Sequence, residues 1–529
     1  MNTVDSLKEE KKILQKEFSI SYAGFYRAAL IYLSLPVVIF FIGYLKPLWT
    51  IVFVLGLLGS VTAAMRGCKD RSECFSDLTA DKISFKTGYI IFISVLILIL
   101  LFISGISEFV FSMEDHRVRY AILNDLVEYK WPVVFDFSTQ TNPVVVAHLG
   151  SGQAAFSYYF SFWMIPALVG KLFGLFAARI ALLVWSSIGI FMVTIGASFM
   201  YKRASKVLFI ALMLFAGFDL IPYLINVITE TPTTWEGWTS HLFIHGNYYQ
   251  LMNVFNQSIP GWLITILLVT SANARSVGLL GGLMFCYSPW ATIGIFPMCI
   301  CKVIMSFKGK KAKECVKELL TPGNLLAPIA CLICFGALYT ANPGATSADG
   351  LIWKFYDSPL KLIWDYCAYV IFEFGIWFLL IYKKHKRDPM LWTALITLLV
   401  LPVYKITRAN DFLMRGSMAP MFLISLYSVM LVTDNFEICR DNSSPKEAAI
   451  RGRVVLVLMM ISAYTAFNHL LTIPLVTVRM YSGDEEFQDE KEVIVSFGNI
   501  HDEKELERTE TQFYVYDQDD SIFFRYFAK

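Results

Sequence analysis

The sequence predicts an all-α polytopic membrane protein. Of its 529 residues, 56% are hydrophobic and only 17% are charged, whereas soluble domains run closer to half apolar and a quarter charged. Mean hydropathy is +0.54. Apolar runs approaching the ~20 residues of a spanning helix recur along the whole chain. Lysine and arginine total 45 against 43 aspartate and glutamate, so no net positive charge points to a nucleic-acid partner.

Residues 1–27 carry charges of both signs and lack the apolar core of a cleavable signal. They are expected to form a cytoplasmic segment. A transmembrane domain is expected over 28–476, with apolar runs at 28–44, 48–65, 87–106, 207–228, 260–271, 324–339, 360–381, 389–403, 417–432 and 454–475. A further run, 277–305, is interrupted by Ser288–Pro289, which predicts two short helices in place of one long one. Basic residues cluster at 66–86, 201–206, 308–317, 383–388 and 446–453, which assigns these loops to the cytoplasm. Alternation then puts 107–155, 229–259, 341–359, 404–416 and a small tail, 477–529, outside. Two apolar stretches lie within 155–200, yet the charge rule asks for one net crossing. The first is therefore expected to lie along, or dip into, the outer face, giving about 13 crossings. All ten cysteines fall in apolar spans or cytoplasmic loops, which leaves no exterior disulfide to form. Cys331-x-x-Cys334 lies inside an apolar run without a partner pair and reads as core.

Three exterior stretches carry polar groups suited to chemistry. In "SMEDHRVRYAILNDLVEYKWPV" (112–133), Val118, Ile122 and Leu126 share one helical face, while Asn124, Asp125 and Glu128 point away. That predicts a short amphipathic helix on the membrane surface, ended at Trp131–Pro132. Glu114 and Asp115 stand at its start. Asp115 could cap the helix in a Ser112-x-x-Asp115 box; equally, a carboxylate at the membrane face can deprotonate an acceptor hydroxyl. His116 and Arg119 follow it. In "YKITRANDFLMRGSMAP" (404–420), Arg408 and Arg415 flank Asn410–Asp411. Arginine forks and a helix N-terminus make a seat for a lipid phosphate; the structural alternative has Asp411 as N-cap and the arginines at headgroup level. In "WEGWTSHLFIHGNYYQLMNVFNQSIPGW" (235–262), aromatic rings with His241, His245 and Gln257 suit a sugar, although an interfacial aromatic belt has nearly the same composition. His241 and His245 have the helical spacing of two metal ligands, but the glutamate of H-E-x-x-H is missing, so no metal is expected.

These residues give the chain a layout that resembles the GT-C class of membrane glycosyltransferases, including protein O-mannosyltransferases and lipid A aminoarabinose transferases. The acidic pair Glu114–Asp115 opens the first large exterior loop. The run "SYYFSFWMIPALVGKLFGLFAARIALLVW" is similar to that class's Tyr-Tyr-Trp, Leu-Phe-Gly and Ala-Arg passage and contains Tyr158 and Tyr159. The chain departs from the pattern in two extra spans (28–65) and in having Asp115–His116 where Asp–Glu is frequent. The resemblance implies an inverting sugar transfer from a polyprenyl-phosphate donor to a glycan, lipid or protein of the cell envelope. It would act on the outer face of a bacterial cytoplasmic membrane and need no cofactor. Asp115 would act as base with Glu114 in reserve, and Arg408 and Arg415 would sit on the phosphate. His116, Arg119, Tyr158, Tyr159, His241, His245, Gln257, Asn410 and Asp411 would line the site. A transporter or flippase of a lipid-linked sugar is the alternative, resting on Asp365, Glu373, Asn468 and His469 within apolar runs; a non-catalytic scaffold is the third reading.

The orientation is directly testable in a cysteine-free background. A membrane-impermeant maleimide is expected to label Thr231→Cys on intact cells, and Lys310→Cys only after permeabilisation. The opposite pattern inverts the assignment.

Overall fold

A computed structural model of the chain describes residues 14–66, 78–111, 115–136, 152–234, 236–239, 241–341, 349–407, 410–482, 513–515 and 518–529. Glu114 and Arg408 lie outside these residues. Asp115 is described for its backbone alone.

The elements in chain order are β1 (Glu17–Ser21), α1 (Tyr22–Tyr44), α2 (Pro47–Arg66), β2 (Lys82–Lys86), α3 (Thr87–Ile103), α4 (Asp115–Glu128), β3 (Val134–Asp136) and β4 (Gln153–Phe156). Then come α5 (Met164–Phe173), α6 (Leu175–Tyr201), α7 (Lys206–Leu214), α8 (Leu220–Ile228), α9 (Asn247–Thr270), α10 (Val277–Tyr287), α11 (Pro289–Phe307), α12 (Ala312–Leu319) and α13 (Pro322–Thr340). The last part holds β5 (Gly350–Leu351), α14 (Pro359–Tyr369), α15 (Ile376–His385), α16 (Pro389–Val400), β6 (Tyr404–Lys405), α17 (Asp411–Gly416), α18 (Met418–Arg440), α19 (Lys446–Ser462), α20 (Tyr464–Ser482) and β7 (Tyr514–Val515). Among the described residues, eight helices are long and apolar enough to cross a membrane, or nine if α19 and α20, bent by 43°, form one span. The chain is thus a multi-pass, all-α membrane protein.

Local chemistry sets several helix starts. Proline opens α11, α13, α14 and α16, where its missing N–H costs nothing. Ser288 turns the chain between α10 and α11, and its hydroxyl accepts from Ala291 N at 3.2 Å. The expected break at Ser288–Pro289 is therefore present as a capped turn.

Small sheets tie the ends of the helices together. β1 pairs antiparallel with β2, joining the N-terminal segment to the basic 66–86 loop. At the opposite end, β4 is the centre of a sheet with β3 and β7, and β5 pairs with β6. Every pairing joins segments that the charge pattern assigns to one side of the membrane.

The structure corrects several boundaries. The apolar run 207–228 is two short helices, α7 and α8, separated at 215–219. The run 360–381 holds a wider π turn, Val370–Gly375, between α14 and α15. The loop assigned to 229–259 ends at Gly246, because α9 begins at Asn247. The 155–200 conflict is resolved locally: α5 has 10 residues, about 15 Å of rise, too short to span ~30 Å of hydrocarbon. It turns at Gly174 (φ 87°) and folds back so that Gly170 faces Ala178 of α6.

Close packing depends on glycine at one point above others. A Cβ on Gly294 of α11 would collide with the backbone carbonyl of Gly416, so this pair of elements meets backbone to backbone. Gly294→Ala is expected to destabilise the fold by about 1–3 kcal/mol, read as earlier thermal unfolding in detergent. Gly336→Ala, where a Cβ meets open space, should leave the transition in place.

Candidate functional site

The helix predicted after Ser112 is present as α4 (Asp115–Glu128). Its surroundings differ from expectation. Asn124 and Asp125 are buried along with Ile122 and Leu126, so of the three polar residues expected to face away only Glu128 is exposed. Tyr120 donates to Gly105 O, anchoring α4 to the end of α3. Val127 packs against Gly170, which joins α4 to the α5–α6 hairpin. Trp131 donates its indole N–H to Leu126 O at 2.8 Å and closes the helix end.

This anchoring turns Arg119 inward; its side chain is 7% exposed. Asp115 opens the helix four residues earlier. Arg119 lies within electrostatic reach of the Tyr158 phenol, and so does Arg415 from the distant α17. Tyr158 stacks on Tyr159 with ring centroids 3.8 Å apart. The Arg415 guanidinium stands over the Tyr159 ring at 5.8 Å. Burial and Tyr159 hold the Tyr158 phenol well above its ordinary pKa, while the two arginines pull it down. Its O–H is therefore a donor at neutral pH.

Arg415 is itself held. Its Nη1 meets Asp411 Oδ1 at 3.1 Å, one helical turn away. Asp411 Oδ2 accepts from Thr407 Oγ1 at 3.0 Å. The N-cap of α17 is Asn410, in the left-handed region (φ 56°), whose side chain accepts from Leu413 N. The structural alternative that made Asp411 the cap is corrected: Asp411 is free to orient Arg415. The Arg415 Nε is buried without a hydrogen-bond partner, one charged donor unspent.

The aromatic stretch divides. His241 and His245 precede α9 in irregular backbone, so they do not share a helix face as their spacing suggested. His241 meets Phe355 and Tyr356 edge-on, and its carbonyl accepts from Asn410 Nδ2 at 2.8 Å. His245 turns to Glu236 and lies away from the arginines. Gln257 sits inside the buried α9 and not in a loop; its Oε1, with both amide atoms of Asn256, has no partner. His116 is fully buried and lies parallel to Phe255 of α9, at 6.5 Å between centroids. Among the described residues no group of His, Cys, Asp or Glu is arranged to hold a metal ion.

The predicted residues therefore fall in two neighbourhoods. Arg119, Tyr158, Tyr159, Asp411 and Arg415 converge, with Asn410 behind them. His245 belongs elsewhere. One pair went unassigned in the sequence: Glu108, just past α3, meets Arg179 of α6 in an ion pair. The Ala-Arg dipeptide 178–179 was visible, but nothing local pointed to its partner. Compared with known proteins, the chain matches no family model, no curated protein and no solved structure.

Burial lifts the Glu108 carboxyl to about 7, against the pull of Arg179. The folded value lies above the ordinary 4.5, so the fold binds a proton that the unfolded chain releases. Stability from this group is full below the ordinary value and is lost as pH rises through about 7. Glu108→Gln should flatten that decline, measured as melting temperature against pH in nanodiscs; an unchanged profile would remove Glu108 as its source.

Proposed function

We propose that the protein transfers a sugar from a polyprenyl-phosphate carrier to a cell-envelope acceptor at the outer face of a bacterial cytoplasmic membrane. One observation carries the reading: two buried arginines from distant parts of the chain, Arg119 and Arg415, converge on the Tyr158–Tyr159 stack, one helical turn from Asp115. Paired guanidinium forks with a phenol donor are suited to a phosphate leaving group, and stacked aromatic rings to a sugar face. In the step we envisage, Asp115 takes the acceptor's hydroxyl proton. The acceptor oxygen bonds to the anomeric carbon from the face opposite the phosphate. The carbon–oxygen bond to phosphate breaks, its electron pair leaves with the lipid phosphate, and the configuration inverts. Arg119 and Arg415 neutralise that charge as it develops. The step calls on no metal or cofactor.

A second reading, a transporter or flippase of a lipid-linked sugar, is favoured by a different observation. The chain breaks helical geometry at 215–219 and at Val370–Gly375, and buried Asp219 and Glu373 stand at those breaks. Interrupted spans with buried acids are a feature of transporters.

Turnover separates the two. Purified protein in nanodiscs with a labelled polyprenyl-phosphate sugar should release polyprenyl phosphate. Asp115→Asn should lower turnover ~100-fold with binding retained, and Arg415→Ala should weaken donor binding by about 10–100-fold. Movement of the intact lipid-linked sugar between leaflets, without cleavage, would favour the transporter.

A further inference from the structure

Away from the arginine site, three carboxylates meet inside the protein. Asp219 comes from the break between α7 and α8, Glu373 from the π turn between α14 and α15, and Glu236 from the loop before α9. Their exposures are 1%, 0% and 3%. The indole N–H of Trp238 serves two of them, Asp219 Oδ1 at 3.1 Å and Glu373 Oε1 at 3.2 Å, and the backbone N–H of Ile244 also faces Glu373. Glu236 Oε2 accepts from Gly246 N and faces His245 Nδ1, both at 3.1 Å. The backbone closes in from the other side, since a Cβ on Gly217 would press on Glu373 Oε2.

What is missing is as specific as what is present. Asp219 Oδ2, Glu373 Oε2 and Glu236 Oε1 are all buried without a hydrogen-bond donor. Among the described residues the one ion-pair partner of the three acids is His245. The other titratable groups facing the cluster are Tyr369 of α14 and, beyond His245, Tyr249 of α9 and His469 of α20. His469 is 9% exposed, its Nε2 has no partner, and its ring lies against Tyr249 at 4.9 Å.

Three like charges in a buried site, with no lysine or arginine paired to them among the described residues, cannot all be carried. A protonated carboxyl is a donor as well as an acceptor, so a proton on one acid both removes a charge and supplies the donor that a neighbouring oxygen lacks. The carboxylates do not converge as a metal-ligand set. We propose that Asp219, Glu236 and Glu373 form a proton-binding site inside the membrane domain, in which one proton is shared among the three carboxyl groups, with the rings of His245 and His469 adjoining it. This stands on the cluster's own geometry and holds under either functional reading.

The test uses the full-length chain in nanodiscs. Infrared difference spectra should show a protonated carboxylic carbonyl band near neutral pH that disappears in alkali and is weakened in both Glu373→Gln and Asp219→Asn. Tryptophan emission should change at the same midpoint, with the change absent in Trp238→Phe. Either amide variant should displace that midpoint by about a pH unit or more. Asp434→Asn, at the Lys384 pair far along the chain, should leave both signals in place. A folded wild-type protein with no protonated band at neutral pH would overturn the proposal. So would a band that appears only when sodium is exchanged for choline, which would make a metal cation the occupant.

Discussion

Lys302 donates its ammonium to the carbonyls of Val269 at 3.0 Å and Ser271 at 2.7 Å, closing the end of a helix that is buried along its whole length. At the other end, Asn247 donates to Leu212 O at 2.7 Å and to Ser425 Oγ at 2.8 Å. A helix end enclosed by protein has no water to satisfy its orphan groups, so α9 can sit at the centre only because its neighbours supply partners at both ends: Lys302 for the last carbonyls, and the carbonyl of Phe215 for Asn247 N at 2.8 Å. Tyr22 Oη and Thr270 Oγ1 add a third tie. The other helices are arranged around this one: α1, α6, α10, α11, α18 and α20 all pack on it.

The central helix also determines where polar chemistry can be held. It bends at Val254, where the backbone leaves helical geometry (φ −137°, ψ 36°), and Ser258 Oγ recovers the carbonyl of Gln250. Around the bend, Phe255 stacks with His116 and meets Phe162 and Trp163 edge-on. This contact fixes α4 and the α5 hairpin against the core. It thereby fixes Arg119, which stands on α4, and steadies Tyr158 in the irregular stretch just before α5. The arginine site is loop-borne in sequence, yet Arg119 and Arg415 stand on helices, α4 and α17. Such rigidity is what a charged, dehydrated site requires.

Much of this architecture was readable from the chain. Hydropathy marked the membrane class, Ser288–Pro289 its broken run, and the heptad-like spacing of Val118, Ile122 and Leu126 the helix α4. The same reasoning failed where tertiary contact overrides local pattern. Asn124 and Asp125 look wetted because they are polar, but the fold covers them. His241 and His245 have helical spacing, but Gly246 begins the helix one residue later, so periodicity there described no helix. Residues 247–259 read as a loop because Asn247, Gln250, Asn253, Asn256 and Gln257 dilute the hydropathy of a wholly internal helix. Glu373 was legible as an acid inside an apolar run, whereas Asp219, within 207–228, was not singled out. Their meeting was not legible, because it joins residues from two separate interruptions through Trp238, a side chain of a third segment.

The two polar sites carry opposite demands, and one loop touches both. Under the two proposals, Arg119 and Arg415 receive an anion, whereas Asp219, Glu236 and Glu373 share a proton. Residues 236–246 contribute Glu236, Trp238 and His245 to the acids. The same segment accepts a hydrogen bond from Asn410 at the carbonyl of His241. Asn410 caps α17, and α17 carries Arg415. Charge left unbalanced at the acids would strain a loop whose far side steadies the arginine helix. The route runs through hydrogen bonds and backbone: Glu236 to Gly246 N and His245, along the chain to His241, across to Asn410, and through the α17 N-cap toward Arg415. If the acids hold the proposed proton and the arginines the proposed anion, these contacts join the two sites, and any bias of one on the other is reciprocal.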